Sequence, residues 1–299
     1  MQYNVDMCSQ KNECKLCPRE CKSRENGYCG GKDAITVAKI MAHFGEEPII
    51  SGTNGSGAIF FSGCSLRCVY CQNVQISTRK VGKEYSESEL LSAIVRLADS
   101  GVHNINLVTA GHYLNQLLPV LEKVKKLIDI PIIYNTSSYE KVEALQRLAG
   151  IIDVYLPDFK YFSNDLSKKY SSVANYCEIA TSAIKEMVRQ QPKITIGKDG
   201  TIANGVIIRH LVLPSHREDS KAVIRHIASE FSGVLVSIMR QYTPTFNRSC
   251  YENLNRKVTS FEYNSIVEEA KMLSLDGYFQ HKGCETEKFT PNFDENNLF

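Results

Sequence analysis

The sequence predicts an α/β fold organised as a barrel or open barrel of parallel strands. Three observations carry this. Short, near-continuous apolar runs alternate with helix-spaced apolar patterns from residue 58 onward, and six such alternations occur. The chain of 299 residues has the length of one β/α barrel plus an appendage.

The elements follow in order. Ala58-Ile-Phe-Phe61 reads as the first strand, and Ser86-x-x-Glu89 is a capping box opening a helix with Leu90, Leu91, Ile94, Val95 and Ala98 on one face. Residues 104–109 form the second strand, and Leu114, Leu117, Leu118, Leu121 and Val124 recur at helical spacing. A third strand spans 131–135, a helix 140–148 and a fourth strand 151–156. One or two helices fill the stretch from about 164 to 190, with Ala183, Met187 and Val188 toward the core. Lys198-Asp199-Gly200 reads as a hairpin turn that interrupts the alternation. The fifth strand covers 206–213, a helix 218–231, the sixth strand 234–239, and a last helix 260–273, capped by Ser260 and closed near Gly277. Residues 1–57 lack sustained periodicity and are rich in Cys, Gly and charge, so they read as a loop-dominated extension before a core domain of 58–277. Residues 278–299 read as a tail, its last dozen extended.

Composition narrows the function classes. With 43% hydrophobic and 23% charged residues the chain can bury a core, which excludes disorder. A net charge of +2 advertises no basic field for nucleic acid or an anionic membrane. Neither a secretion leader nor a run near 18 apolar residues is visible, so a soluble, cytoplasmic protein with reduced thiols is expected. Eleven cysteines in such a setting point to metal or catalysis before disulfides. Cys14, Cys17, Cys21 and Cys29, with Cys8 just outside, form one cluster, and Cys64, Cys68 and Cys71 a tighter one. Cys177, Cys250 and Cys284 stand alone and read as small buried hydrophobes.

Gly63-Cys64-Ser-Leu-Arg-Cys68-Val-Tyr70-Cys71 follows the first strand, on the face where α/β barrels place active sites. Three thiolates on one loop wrap a corner of a cubane cluster and leave its fourth iron open to a small molecule. A structural zinc completed by a distant fourth ligand is the rival reading. Cys14-x2-Cys17-x3-Cys21-x7-Cys29 supplies four soft ligands in a segment with little core, suited to zinc or to an auxiliary iron–sulfur cluster.

The spacing Cys64-x3-Cys68-x-Tyr70-Cys71 resembles the signature of the radical S-adenosylmethionine (SAM) enzymes. Further segments look like the pyruvate formate-lyase activating enzyme homologues, in particular an uncharacterised subgroup with a Cys-rich N-terminus. They are Cys14-x-x-Cys17-Pro-Arg-x-Cys21, Glu47-Pro-Ile-Ile-Ser-Gly52, Asn135-Thr-Ser-Ser-Tyr-Glu140, Tyr155-Leu-Pro-Asp-Phe-Lys-Tyr161 and Arg209-His-Leu-Val-Leu-Pro214. The resemblance implies a partial (β/α)6 barrel of the radical SAM type behind the Cys-rich, loop-dominated extension. It implies a [4Fe–4S] cluster on Cys64, Cys68 and Cys71, and SAM cleaved to a 5′-deoxyadenosyl radical that abstracts hydrogen. By the same resemblance Tyr70 meets adenine, while Asn135, Thr136, Asp158, Lys160, Arg209 and Gln241 surround the rest of SAM. Relatives carry Gly-Gly-Glu after the second strand to hold the SAM amino group. Here the segment is Thr109-Ala110-Gly111-His112, so Ala110 and Gly111 carbonyls or the His112 ring are expected to substitute. The implied partners are an electron donor such as flavodoxin or ferredoxin and a glycyl-radical enzyme or other protein substrate. A different peptide, a small molecule or a nucleic acid is the alternative substrate, and a non-catalytic metal-binding module the remaining reading.

Overall fold

A computed structural model describes residues 14–21, 27–31, 33–78, 81–246, 251–286 and 290–293. Cys8, Cys250 and residues 287–289 and 294–299 of the expected tail lie outside the described residues. The first half contains β1 (Ile35–His43), α1 (Pro48–Ser51), β2 (Ser56–Phe61), α2 (Val74–Thr78), β3 (Lys83–Tyr85), α3 (Glu87–Asp99), β4 (Ile105–Val108), α4 (Leu114–Val124), β5 (Ile132–Thr136), α5 (Val142–Gln146) and β6 (Val154–Pro157). The second contains α6 (Asn164–Ser171), α7 (Tyr176–Gln190), β7 (Thr195–Ile196), β8 (Ile202–Leu211), α8 (Arg217–Glu230), β9 (Leu235–Met239), α9 (Ser260–Met272) and β10 (Gly277–Phe279).

The strands form one unclosed sheet in the order β10-β9-β8-β6-β5-β4-β2-β1-β3, with the β7 hairpin arm on β8. The pairs from β2 through β4, β5, β6 and β8 to β9 are all parallel, which is the six-repeat partial barrel expected from the alternation. These strands are buried along nearly their whole length because helices cover one face and packed side chains the other. The α3 capping box is formed: Ser86 Oγ accepts from Glu89 N–H, and the Glu89 carboxylate accepts from Ser86 N–H.

Three parts of the sequence reading change. Residues 35–43, expected as loop, form β1, which pairs antiparallel with β2 from His43↔Ser56 to Val37↔Phe61 and extends the sheet. Their apolar content was masked by Lys39 in mid-strand, whose ammonium donates to the Asn292 carbonyl at 2.6 Å. The tail contributes β10, parallel to β9, and buries Phe293 against Phe60 at a ring separation of 5.5 Å. The last helix is capped by Thr259 rather than Ser260, because Thr259-x-x-Glu262 closes a second capping box.

Gly277 opens β10 with φ +150, and a Cβ there would fall 1.8 Å from the Val236 carbonyl oxygen. No rotamer change relieves a contact with backbone. Gly277→Ala should therefore lower unfolding free energy by roughly 1–3 kcal/mol in chemical denaturation. Gly150→Ala, also at positive φ (+77) but with nothing within 4 Å of a Cβ, should carry the backbone strain alone and cost less. Equal losses in the two variants would remove β10 from the folded sheet.

Candidate active site

The carboxyl end of β2 runs into the cysteine loop through Gly63, held at φ +98. A side chain there would strike the Cys29 carbonyl at 2.4 Å and the His112 ring at 2.9 Å, so only glycine passes. The loop is fastened from several elements. Val69 N–H donates to the Tyr170 carbonyl at 3.0 Å, Cys64 N–H to the Cys29 carbonyl at 3.1 Å, and Arg19 reaches the Ser65, Ser171 and Ser172 carbonyls.

Cys64, Cys68 and Cys71 open onto one cavity of about 470 Å3, within the size range of about 300–1,000 Å3 for small-molecule sites. Burial, then the neighbouring Cys68 and Cys64 sulfurs, push the Cys71 thiol up to about 12, and burial raises Cys64 as well. Metal ligation would relieve this mutual repulsion and release the thiol protons. The Cys68 sulfur also ends a hydrogen-bond chain: Tyr70 OH donates to Tyr161 OH at 2.6 Å, that hydroxyl lies 2.8 Å from Ser171 Oγ, and Ser171 Oγ donates to Cys68 Sγ at 2.9 Å. Among the described residues, no three His, Cys, Asp or Glu side chains are gathered about a single-ion position.

Successive strand ends supply the rest of the wall. Tyr70, Asn135, Thr136, Asp158, Lys160, Arg209 and Gln241 line the same cavity as the three cysteines. Tyr70 is buried in an aromatic cage, edge-on to Tyr161, Tyr170 and Tyr242 at 6.2–6.4 Å. Thr136 Oγ1 donates to Glu140 at 2.5 Å, which fixes its rotamer, and burial raises the Glu140 carboxyl. Lys160 donates to Asp158 at 2.6 Å. Burial opposes its charge, but Asp158, the Cys68 sulfur and two tyrosines hold the ammonium well above the ordinary lysine range.

The Gly-Gly-Glu substitutes are placed elsewhere. Thr109 lines the cavity at φ +60, a strained setting for a β-branched residue, and the chain then turns away. Ala110 and Gly111 carbonyls already accept from Tyr113 and Leu114 N–H in a tight turn. A Cβ on Gly111 would lie 2.6 Å from the Glu140 carboxylate. His112 is buried away from the cavity: its Nε2 donates to the Ser62 carbonyl at 2.8 Å, and its ring borders the N-terminal cysteines. The structure therefore does not bring Ala110, Gly111 or His112 to the cavity. Cys284, expected as a buried hydrophobe, instead lines the cavity rim.

Sequence reasoning named Arg209 but missed Glu46 and Glu47, its partners in the deep wall. Arg209 is buried and donates from Nε to Glu47 at 2.9 Å, while its Nη2 is shared between Glu46 and Glu47. Glu46 also accepts from Asn106 at 2.9 Å. The readable signal was an arginine inside an apolar strand, which demands a buried counter-charge.

An open α/β barrel with three cysteines of one loop at the carboxyl ends of its strands defines the class of cluster-dependent radical enzymes. Residues 58–197 match the radical SAM superfamily. The chain is 30% identical over 275 residues to an uncharacterized protein of Methanocaldococcus jannaschii, covering 88% of this chain and 75% of that one. It is 24% identical over 241 residues to the pyruvate formate-lyase-activating enzyme of Clostridium pasteurianum, covering 78% and 93%. Streptococcus suis SuiB, solved with its precursor peptide SuiA, shares the fold at a TM-score of 0.51 and 10% identity, over 74% of this chain and 47% of that one. The protein belongs to the radical SAM superfamily. Membership implies a [4Fe–4S] cluster and bound SAM, and the donors present fit: three thiols share a loop, and Asn73 Oδ1 beside Cys71 is a buried acceptor without a partner in the cavity wall.

Arg209→Met would strand two buried carboxylates, at a cost of about 3–5 kcal/mol near neutral pH. In the wild type, burial raises the Glu47 carboxyl but Arg209 outweighs it and holds it low, so its stabilisation is present above the ordinary carboxylate pKa and lost on acidification. In the variant Glu47, buried without its cation, takes up a proton more readily, which relieves the penalty at acid pH. The stability gap measured by urea denaturation should thus narrow from pH 7 toward pH 5. A gap that stays constant would show that the carboxylates do not depend on Arg209.

Proposed function

We propose that the protein is an activating-type radical SAM oxidoreductase that abstracts a hydrogen atom from the backbone of a partner protein, a glycyl-radical enzyme being the favoured class. One observation carries the reading: a single cavity joins the three-cysteine loop to the polar ends of the parallel strands. Its match over most of the length of an activating enzyme supports the same class.

Cys64, Cys68 and Cys71 hold the cluster. When bound, that cluster supplies an open iron for chelating SAM and one electron for its reductive cleavage to methionine and a 5′-deoxyadenosyl radical. The chain's own groups bind, orient and shield. Lys160, kept cationic by Asp158, meets a carboxylate, and Asn135, whose amide makes no hydrogen bond among the described residues, offers both donor and acceptor. The aromatic cage around Tyr70 presents ring faces and edges to a planar base, and with its hydroxyl spent on Tyr161 it excludes water from the radical's path. The electron comes from a protein donor of the flavodoxin or ferredoxin kind.

Lys160→Met should weaken SAM binding about 10–100-fold, the cost of one lost charge-assisted hydrogen bond, with iron content unchanged. Calorimetry on the anaerobically reconstituted protein measures this, and unchanged affinity would take Lys160 out of the binding site. Replacing Cys64, Cys68 and Cys71 together by Ala should reduce 5′-deoxyadenosine formation under dithionite to background. The substrate class is tested by incubating wild type, SAM and dithionite with glycyl-radical partners. A doublet EPR signal on a partner supports the proposal, whereas 5′-deoxyadenosine released without any partner radical argues for another substrate.

A further inference from the structure

The N-terminal cysteines lie outside the main cavity. Cys14, Cys17, Cys21 and Cys29 line a separate pocket of about 20 Å3 together with Arg19 and His112. That space admits a water-sized sphere. A zinc held by thiolates at about 2.3 Å gathers them about one ion, and among the described residues no three Cys or His side chains are gathered that closely. The spread of the four residues therefore suits a polynuclear centre.

Two further features agree. Backbone N–H groups aim at the sulfurs, Gly31 N–H at Cys29 Sγ (3.3 Å) and Tyr28 N–H at Cys21 Sγ (3.4 Å). A neutral thiol accepts weakly, while cluster thiolates use such bonds to set their potential. Cationic charge also borders the centre. Arg19 lines the pocket with its donors held by the Ser65, Ser171 and Ser172 carbonyls, and Arg67, whose buried Nε has no partner among the described residues, lies against Gly30.

We infer that Cys14, Cys17, Cys21 and Cys29 hold a second iron–sulfur cluster, a one-electron carrier seated beside the Cys64 ligand. The Cys64 N–H to Cys29 carbonyl bond, 3.1 Å long, joins the two ligand sets directly. Such a centre is reduced by one electron from an external low-potential donor, with no bond made or broken. The site itself stands without the proposed function, and only its coupling to the first cluster rests on that reading.

The test uses the full chain in two reconstituted variants. The Cys64→Ala/Cys68→Ala/Cys71→Ala protein should retain about two to four irons with matching acid-labile sulfide, and an EPR signal after dithionite reduction. One zinc without sulfide, or no metal at all, overturns the assignment. Adding Cys17→Ser to that variant should remove the iron, and its persistence equally overturns it. The Cys14→Ala/Cys17→Ala/Cys21→Ala/Cys29→Ala protein should keep a cluster signal perturbed by SAM, and its loss there alone would count against the first site, not the second. Should either variant fail to fold, iron and sulfide in the wild type decide: clearly more than four of each per chain supports two clusters, and four or fewer refutes them. Fully reduced wild type should show a spin-coupled, broadened spectrum, and a plain sum of the two variants' signals would refute adjacency.

Discussion

The hydrogen bond from Cys64 N–H to the Cys29 carbonyl is the contact on which the site depends, because three parts of the chain meet there. Strand β2 gives way to Gly63, the cysteine loop begins at Cys64, and the N-terminal segment passes over both. The loop sinks Leu66, Cys68 and Tyr70 into the core, and backbone contacts from other elements fix the rest of its geometry. Tyr170, Ser171 and Ser172 fasten it from the far side of the barrel and Arg19 ties the two sides together. Preorganisation of this kind lets a cluster assemble without a further ordering cost at the loop.

Charge in the barrel interior is arranged in two tiers. Near the cysteines Lys160 is paired with Asp158, and deeper in the wall Arg209 is clamped by Glu46 and Glu47. Replacing such pairs by apolar residues is often neutral for stability, so their presence is weak evidence for a stabilising role. The upper pair keeps an ammonium charged where SAM is proposed to bind. The lower cluster carries one carboxylate more than it has cations, which leaves the deep wall electronegative.

Much of the architecture was legible because parallel strands under helical cover must be apolar throughout, and the helices between them show their periodicity. The cysteine motif was legible for a related reason: soft ligands at close spacing have few other uses. What escaped the reading depended on long-range contacts. β1 follows a Cys- and Gly-rich stretch and carries Lys39 in its middle, so its strand character only shows once β2 is beside it. Thr259 and Glu262 spell out the capping box that the structure forms, one residue before the Ser260 expected as the cap. Glu46 and Glu47 looked like loop acids until the fold delivered Arg209 from more than 160 positions away.

His112 shows how local motif logic fails at a strand end. By the resemblance its position corresponds to the acidic residue of a Gly-Gly-Glu motif, which suggests functional replacement. The backbone decides otherwise. Thr109 adopts a left-handed conformation, the next residues close a tight turn, and the ring is carried to the opposite side, where Ser62 and the N-terminal pocket receive it. A carboxylate does reach this turn from a different element: Glu140, after β5, sits against Gly111 and holds Thr136 in the cavity wall. The absent side chain at Gly111 leaves room for that carboxylate and for the Tyr134 hydroxyl, so this glycine has a packing reason of its own.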